Sequence, residues 1–156
     1  SPLSEMQAAV LLPQLNKLDE RTRIRKSSAD KLFDALQNSE GLIPLRSPYP
    51  DSSPGYYKVG FQYDPTTFGG LSRDRFSEAM IAEGFAVHPG FRSLHKIHSK
   101  KRYRTMTELT EADRADDNIL VLHHPILLSE ADWQSAFVRA VDKIKQFSDD
   151  LISDHQ

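Results

Sequence analysis

The sequence predicts an α+β fold: a small antiparallel sheet of about three strands with helices packed on one side. Three observations carry that reading. YYKVGFQY (56–63) alternates Tyr57, Val59, Phe61 and Tyr63 on one face, the pattern of a strand buried on one side only. NILVLHH (118–124) is an apolar run of strand length, and FAVH (85–88) is a further short strand. Around them lie stretches with helical spacing and recognisable start and stop residues.

Taken in order, Ser4-Glu5-Met6-Gln7 has the form of a capping box, so a helix starts there, and Pro13 kinks or ends its first segment. Leu15, Leu18, Ala29, Leu32, Phe33 and Leu36 keep helical spacing until Gly41 and Pro44. Arg21, Arg23, Arg25 and Lys26, interleaved with Asp19 and Glu20, read as a solvated face. RSPYPDSSPG (46–55) is a loop, and DPTTFGG (64–70) is a turn with no phosphate-loop context. Ser72 caps a helix through about Glu83 that buries Phe76, Ala79 and Met80, with Gly84 ending it. TEADRADD (110–117) reads as a short polar helix. Ser129-Glu130-Ala131-Asp132 opens a last helix carrying Trp133, Phe137, Val141, Ile144 and Leu151. No internal repeat and no second domain is visible.

Composition sets bounds on function. The chain has 156 residues, 38% hydrophobic and 27% charged, with a net charge of −2. It is apolar enough to bury a core, and any basic character must be local. The absence of cysteine excludes disulfides, thiolate metal sites and cysteine nucleophiles. With no apolar run of roughly 20 residues and no signal-peptide layout, a cytoplasmic protein without membrane partners is expected. No Ser-His-Asp order, nucleophile elbow or Walker loop appears, so no self-sufficient catalytic centre is expected.

The segment AEGFAVHPGFRSLHKIHSKKRYR (82–104) concentrates the chemistry. It sets His88, His95 and His98 among Arg92, Lys96, Lys100, Lys101, Arg102 and Arg104, with no acid after Glu83. Four readings stand: a metal site, a single-strand nucleic-acid clamp, a pocket for a small anion, or a solvated basic loop. Metal binding is disfavoured, because His88 is the only nearby third ligand and no local carboxylate supports the set. Nucleic-acid binding is disfavoured by the short stretch and the slightly acidic whole. A small anionic ligand needs only one or two of these charges. His123 and His124 end a strand, where one ring is expected on each side of the sheet.

Four blocks together resemble one family. LSEMQAAVLLPQLNKLDERTRIR, GYYKVGFQYD, RFSEAMIAEGFAVHPGFRSLH and ILVLHHPILLSEADW stand in the order and spacing of the C-terminal part of the DegT/DnrJ/StrS aminotransferases. The pairing of GFRSLH with LVLHHPILL is especially similar to the branch containing 3-amino-5-hydroxybenzoate synthase. The resemblance spans residues 3–147 and implies the small domain of a transferase of the aspartate aminotransferase superfamily. It implies pyridoxal 5'-phosphate (PLP) as cofactor and a homodimer. The implied amino donor is glutamate or glutamine, and the implied acceptor is a keto sugar nucleotide or carbocyclic ketone.

In that family the cofactor lysine lies in a Ser-x-x-Lys segment of an N-terminal large domain, and no such segment occurs here. The resemblance therefore casts residues 1–156 as the C-terminal small domain alone, inactive by itself. The family's Asn or Arg ahead of the Ser-Glu block is replaced by Ser1-Pro2, so its phosphate contact is not carried over. By match to the family's pocket loop, Phe91, Arg92 and His95 form a substrate-binding wall with His88 at its rim. His123 and His124 sit under the same pocket. None of them is catalytic or a cofactor or metal ligand, and KIHSKKRYR is expected to be exposed surface. The alternative is a free-standing, non-catalytic binding domain derived from the same enzyme fold.

Overall fold

Alternation along β2 (Lys58–Tyr63) sets the architecture. Val59, Phe61 and Tyr63 are buried while Lys58, Gly60 and Gln62 are only half-covered, so this strand has one face in the core. The computed structural model describes residues 3–49, 51, 52 and 54–153. In it β2 joins an antiparallel sheet of order β1-β2-β4-β3, with β1 at Leu42–Pro44, β3 at Val87–Pro89 and β4 at Ile119–His123. The α+β class is as the sequence predicts, with four strands instead of about three.

The additional strand is β1. Gly41 and Pro44 mark it as a chain stop in sequence, yet both suit an edge strand. Proline is tolerated where no ladder donor is required. Gly41 takes φ +82°, and a Cβ there would lie 2.6 Å from Thr67 Cβ.

Pairing in register aligns Leu42 with Tyr63, Val59 with Leu122, Phe61 with Leu120, and Val87 with Leu122. These residues form the buried face. Three helices cover it: α2 (Leu18–Ala35) through Ala29, Leu32 and Phe33, α3 (Arg73–Ala82) through Phe76 and Met80, and α6 (Gln134–Gln146) through Phe137, Val141 and Ile144. Phe137 stands between the layers, stacked on Phe61 at 5.9 Å and edge-on to Phe85 at 5.1 Å. Tyr63 packs against Phe76 at 4.8 Å and donates its hydroxyl to the Leu71 carbonyl at 2.8 Å. Burial raises the pKa of that phenol, which keeps it protonated as a donor.

The predicted caps at Ser4 and Ser72 are present. Gln7 N–H donates to Ser4 Oγ and Ser4 N–H to Gln7 Oε1, and Arg75 N–H donates to Ser72 Oγ. Pro13 lies inside α1 (Glu5–Leu15), and the break falls at Asn16-Lys17 instead. No residue of α1 is buried, although Met6, Val10, Leu11, Leu12 and Leu15 are all apolar. Ser129-Glu130-Ala131-Asp132 does not cap α6, whose N-cap is Trp133, and Leu151 belongs to a separate α7 (Ser148–Ser153). No helix among the described residues is long and apolar enough to cross a membrane.

Because Phe137 touches both β2 and the turn before β3 in a filled core, Phe137→Ala is expected to destabilise the fold by about 3–5 kcal/mol. Urea unfolding followed by circular dichroism measures this, and a loss under about 1 kcal/mol contradicts the assigned packing.

Candidate functional site

The register that buries one face of the sheet exposes the other. Ile43 pairs with Gln62, Gly60 with Val121, Val121 with His88, and Lys58 with His123, all on the face turned away from the helices α2, α3 and α6. His88 and His123 are diagonal neighbours there, because His123 N–H donates to Ala86 O two residues before His88. Phe91 follows β3 and lies with its ring 5.0 Å from Lys58 Nζ, a cation–π contact on the same face. Imidazoles, an ammonium and an aromatic ring thus share one open surface.

The chain between β3 and β4 folds over the edge of that surface and is held by charge. A short helix α4 (Leu94–Ile97) faces α5 (Thr110–Asn118), whose Asp113, Asp116 and Asp117 fall on one side at helical spacing. His95 Nε2 is 2.8 Å from Asp113 Oδ1, and Lys96 Nζ reaches Asp113, Asp116 and Asp117 at 3.3, 3.2 and 3.2 Å. Arg92 Nε is 3.6 Å from Asp116 Oδ1, which also accepts the Ser93 N–H. Arg73 on α3 donates to the Asp116 carbonyl.

The electrostatics follow from these contacts. The hydrogen bond from His95 holds the Asp113 carboxyl below its ordinary value, with Lys96 adding to it against the effect of burial. For Asp116 the Ser93 N–H is the largest cause of the same downward shift, and Lys96 and Arg92 add to it. Burial pulls the Lys96 ammonium down, but the hydrogen bonds it donates to Asp116, Asp117 and Asp113 outweigh this and raise its pKa. With Asp113 ionised and able only to accept, His95 Nε2 carries the proton and donates it. A hollow of about 510 Å³, lined among others by His95, Leu94, Tyr103, Met106 and Leu109, opens beside this pair.

His123 and His124 do not point to opposite sides of the sheet as expected. Their rings lie 4.8 Å apart, and Tyr57 stacks on His124 at 5.1 Å. The reason is local: His124 begins a 3-10 helix (His124–Leu128), so strand alternation stops at His123. Burial, then His123 and Arg25, push the His124 pKa down, leaving it neutral at pH 7. Tyr57 precedes β2 and is exposed, so it is not on the core face with Val59. Arg25 is not simply solvated, since its Nε donates to the Gly55 carbonyl at 2.8 Å.

The six sequence-predicted residues therefore fall into three groups. His88, His123 and Phe91 share the open face, Arg92 and His95 sit in the acid–base clasp, and His124 lies at the end of β4. Ser1, Pro2 and His155 lie outside the described residues. No carboxylate stands near the histidines in sequence, but the fold brings Asp113 of α5 to His95. Asp113, Asp116, Lys96 and Lys58 were missed. The available signal was the match between an acid-free basic segment and three aspartates at helical spacing just downstream.

Residues 1–141 match the sequence profile of the DegT/DnrJ/EryC1/StrS aminotransferase family. The chain is 28% identical to the L-glutamine:2-deoxy-scyllo-inosose aminotransferase of Streptoalloteichus tenebrarius, over 96% of this chain and 39% of that protein. It thus spans about two fifths of the length of the curated relatives it matches. In fold it is similar to 3-amino-5-hydroxybenzoic acid synthase, with a TM-score of 0.71 at 18% identity, covering 88% of this chain and 38% of that one. It is also similar to a GDP-4-keto-6-deoxymannose-3-dehydratase with a trapped PLP-glutamate geminal diamine, with a TM-score of 0.71 at 18% identity, covering 87% and 35%.

The clasp has a pH window with a definite sign. Asp113 and Asp116 have folded pKa values below 3.8, so their contribution is full above the unfolded value and is lost as pH falls through the folded ones. Lys96, raised above 10.5, sets the alkaline limit, its contribution being lost as pH rises through the raised value. The Ser93 amide proton, followed by NMR on acidification, is expected to shift with a midpoint below 3.8. A midpoint at or above that value contradicts the assigned carboxylate contact.

Proposed function

Because the chain belongs to the DegT/DnrJ/EryC1/StrS aminotransferase family, we propose that it is the C-terminal small domain of a PLP-dependent aminotransferase and that its open sheet face walls the substrate pocket. The observation that carries this reading is the open face itself. A sheet buried on one side presents His88, His123, Lys58 and Phe91 together on the other. Imidazole and ammonium groups hydrogen-bond hydroxyl and keto oxygens, and an aromatic ring packs on the CH face of a saturated ring.

PLP supplies the electron sink for amino transfer when it is bound. None of the lysines is buried among the described residues. Lys26 and Lys96, whose pKa values are displaced, are both raised by neighbouring carboxylates. A lysine that bonds a cofactor aldehyde at neutral pH needs the opposite shift. These residues therefore do not fit the covalent attachment point, and we assign that role to the large domain that the family resemblance implies. This domain binds and orients the acceptor and contributes to a homodimer in the cytoplasm.

The amino donor is glutamine, as the names of the relatives state for those enzymes. The acceptor is a keto carbocycle of the inosose kind or a keto sugar nucleotide. For a nucleotide-linked acceptor, Arg92 is the phosphate partner, since it is exposed and its 3.6 Å contact with Asp116 is long enough to exchange. A second reading is a free-standing, non-catalytic binding domain of the same fold, which the absence of a buried lysine among the described residues fits equally.

The test is amino transfer from glutamine to 2-deoxy-scyllo-inosose, or to a keto sugar nucleotide, by the full-length protein carrying this domain. Within it Phe91→Ala is expected to raise the acceptor KM about tenfold with cofactor absorbance unchanged. A folded, cofactor-loaded protein that aminates neither acceptor supports the non-catalytic reading. Loss of cofactor absorbance in Phe91→Ala removes the assignment of the open face to substrate.

A further inference from the structure

Residues 90–93 form a turn fixed at both ends. At one end Gly90 N–H donates to Ile119 O at 2.8 Å, and at the other Ser93 N–H donates to Asp116 Oδ1. Ser93 Oγ adds a bond to the Ala112 carbonyl. Between the anchors, Phe91 and Arg92 project outward at 81% and 63% exposure. The anchoring group is not a surface charge. Asp116 is 6% exposed, its other oxygen takes Lys96 Nζ at 3.2 Å, and its carbonyl is held by Arg73.

Gly90 permits the close approach. A Cβ there would stand 2.8 Å from Ile119 Cγ2 and 3.1 Å from the Ile119 carbonyl oxygen, the acceptor of its own N–H. Any larger residue lifts the turn off β4.

We propose that Asp116 is a positioning residue for substrate recognition: by gripping the Ser93 amide while Gly90 seats on Ile119, it presents Phe91 and Arg92 in one preset geometry. The inference rests on the open face being the pocket wall. It deepens that reading by separating the groups that touch substrate from the group that aims them. Rigid support matters because small misplacement of a recognition group costs rate and affinity steeply, up to the order of a hundredfold per ångström.

The experiment compares variants of the full-length enzyme with glutamine as donor and 2-deoxy-scyllo-inosose as acceptor. Asp116→Ala, which removes the acceptor of the Ser93 N–H, is expected to raise the acceptor KM on the order of tenfold, with kcat less affected and cofactor absorbance intact. Phe91→Ala added to Asp116→Ala is expected to cost little more, because the ring is already misplaced. An unchanged KM in Asp116→Ala, or effects of the two substitutions that multiply, overturns the inference while the pocket wall stands. If Phe91→Ala alone leaves KM unchanged, the pocket wall itself falls, and the inference with it.

Should Asp116→Ala not fold, Ser93→Pro is read by the same criteria against Ser93→Ala. Ser93 has φ −61°, which proline adopts; both substitutions remove the Oγ bond to Ala112, and only proline removes the N–H while leaving Asp116 in place. Amide hydrogen exchange in the unmodified enzyme needs no variant and no acceptor. Slow exchange at Gly90 and Ser93, with fast exchange at Phe91 and Arg92, is expected, and fast exchange at all four overturns the inference.

Discussion

An ionised carboxylate withdrawn from water is stable only where donors surround it, and Asp116 meets that condition with three groups from the loop after β3. Lys96 and Arg92 come from the loop after β3, the Ser93 amide from the turn of the same loop, and Arg73 from α3 holds the residue's own carbonyl. The charge of Asp116 thereby joins the loop to α5 ahead of β4, and its backbone carbonyl ties in α3. Removing the carboxylate leaves Lys96 with its other two aspartates, but the turn of residues 90–93 loses the bond that holds its Ser93 amide. The rest of the site depends on this constraint because Phe91 and Arg92 have little other support.

The sheet supplies a second constraint. Alternation along β2, β3 and β4 forces Lys58, His88 and His123 onto one face as the price of burying Val59, Phe61, Val87 and Leu122 on the other. The site residues are thus not gathered by contacts with one another. They are gathered because the core claims the alternate positions. Strand register, set by apolar packing, is the device that puts these polar groups side by side.

Much of this was legible in the sequence. Capping boxes and helical spacing located α1, α2 and α3, and period-two alternation located β2, because each is a local signal. What escaped was set by tertiary pairing. β1 is three residues ending in proline, and only its partner β2 makes it a strand. Tyr57 fits the alternation of β2 by spacing, yet the strand starts one residue later and the ring stacks on His124. The basic segment looked unsupported because its acids lie downstream on α5 and come opposite it only once β3 and β4 pair. Of the residues carried over from the family resemblance, His88, His123 and Phe91 share one face, whereas Arg92 and His95 meet carboxylates of α5.

Strands β3 and β4 are neighbours, with Pro89 opposite Leu120, yet the chain makes the whole excursion of residues 90–118 between them. Departure and return points coincide in space, so the entropy of closing this loop grows only with the logarithm of its length. The sheet pairing on either side is indifferent to what the excursion contains, provided that its two anchors close. No member of the buried core cluster falls within 90–118, so a change of length or sequence in the excursion leaves the layer of Phe61, Leu122 and Phe137 intact. The segment is in this sense a replaceable cassette carried on a fixed frame.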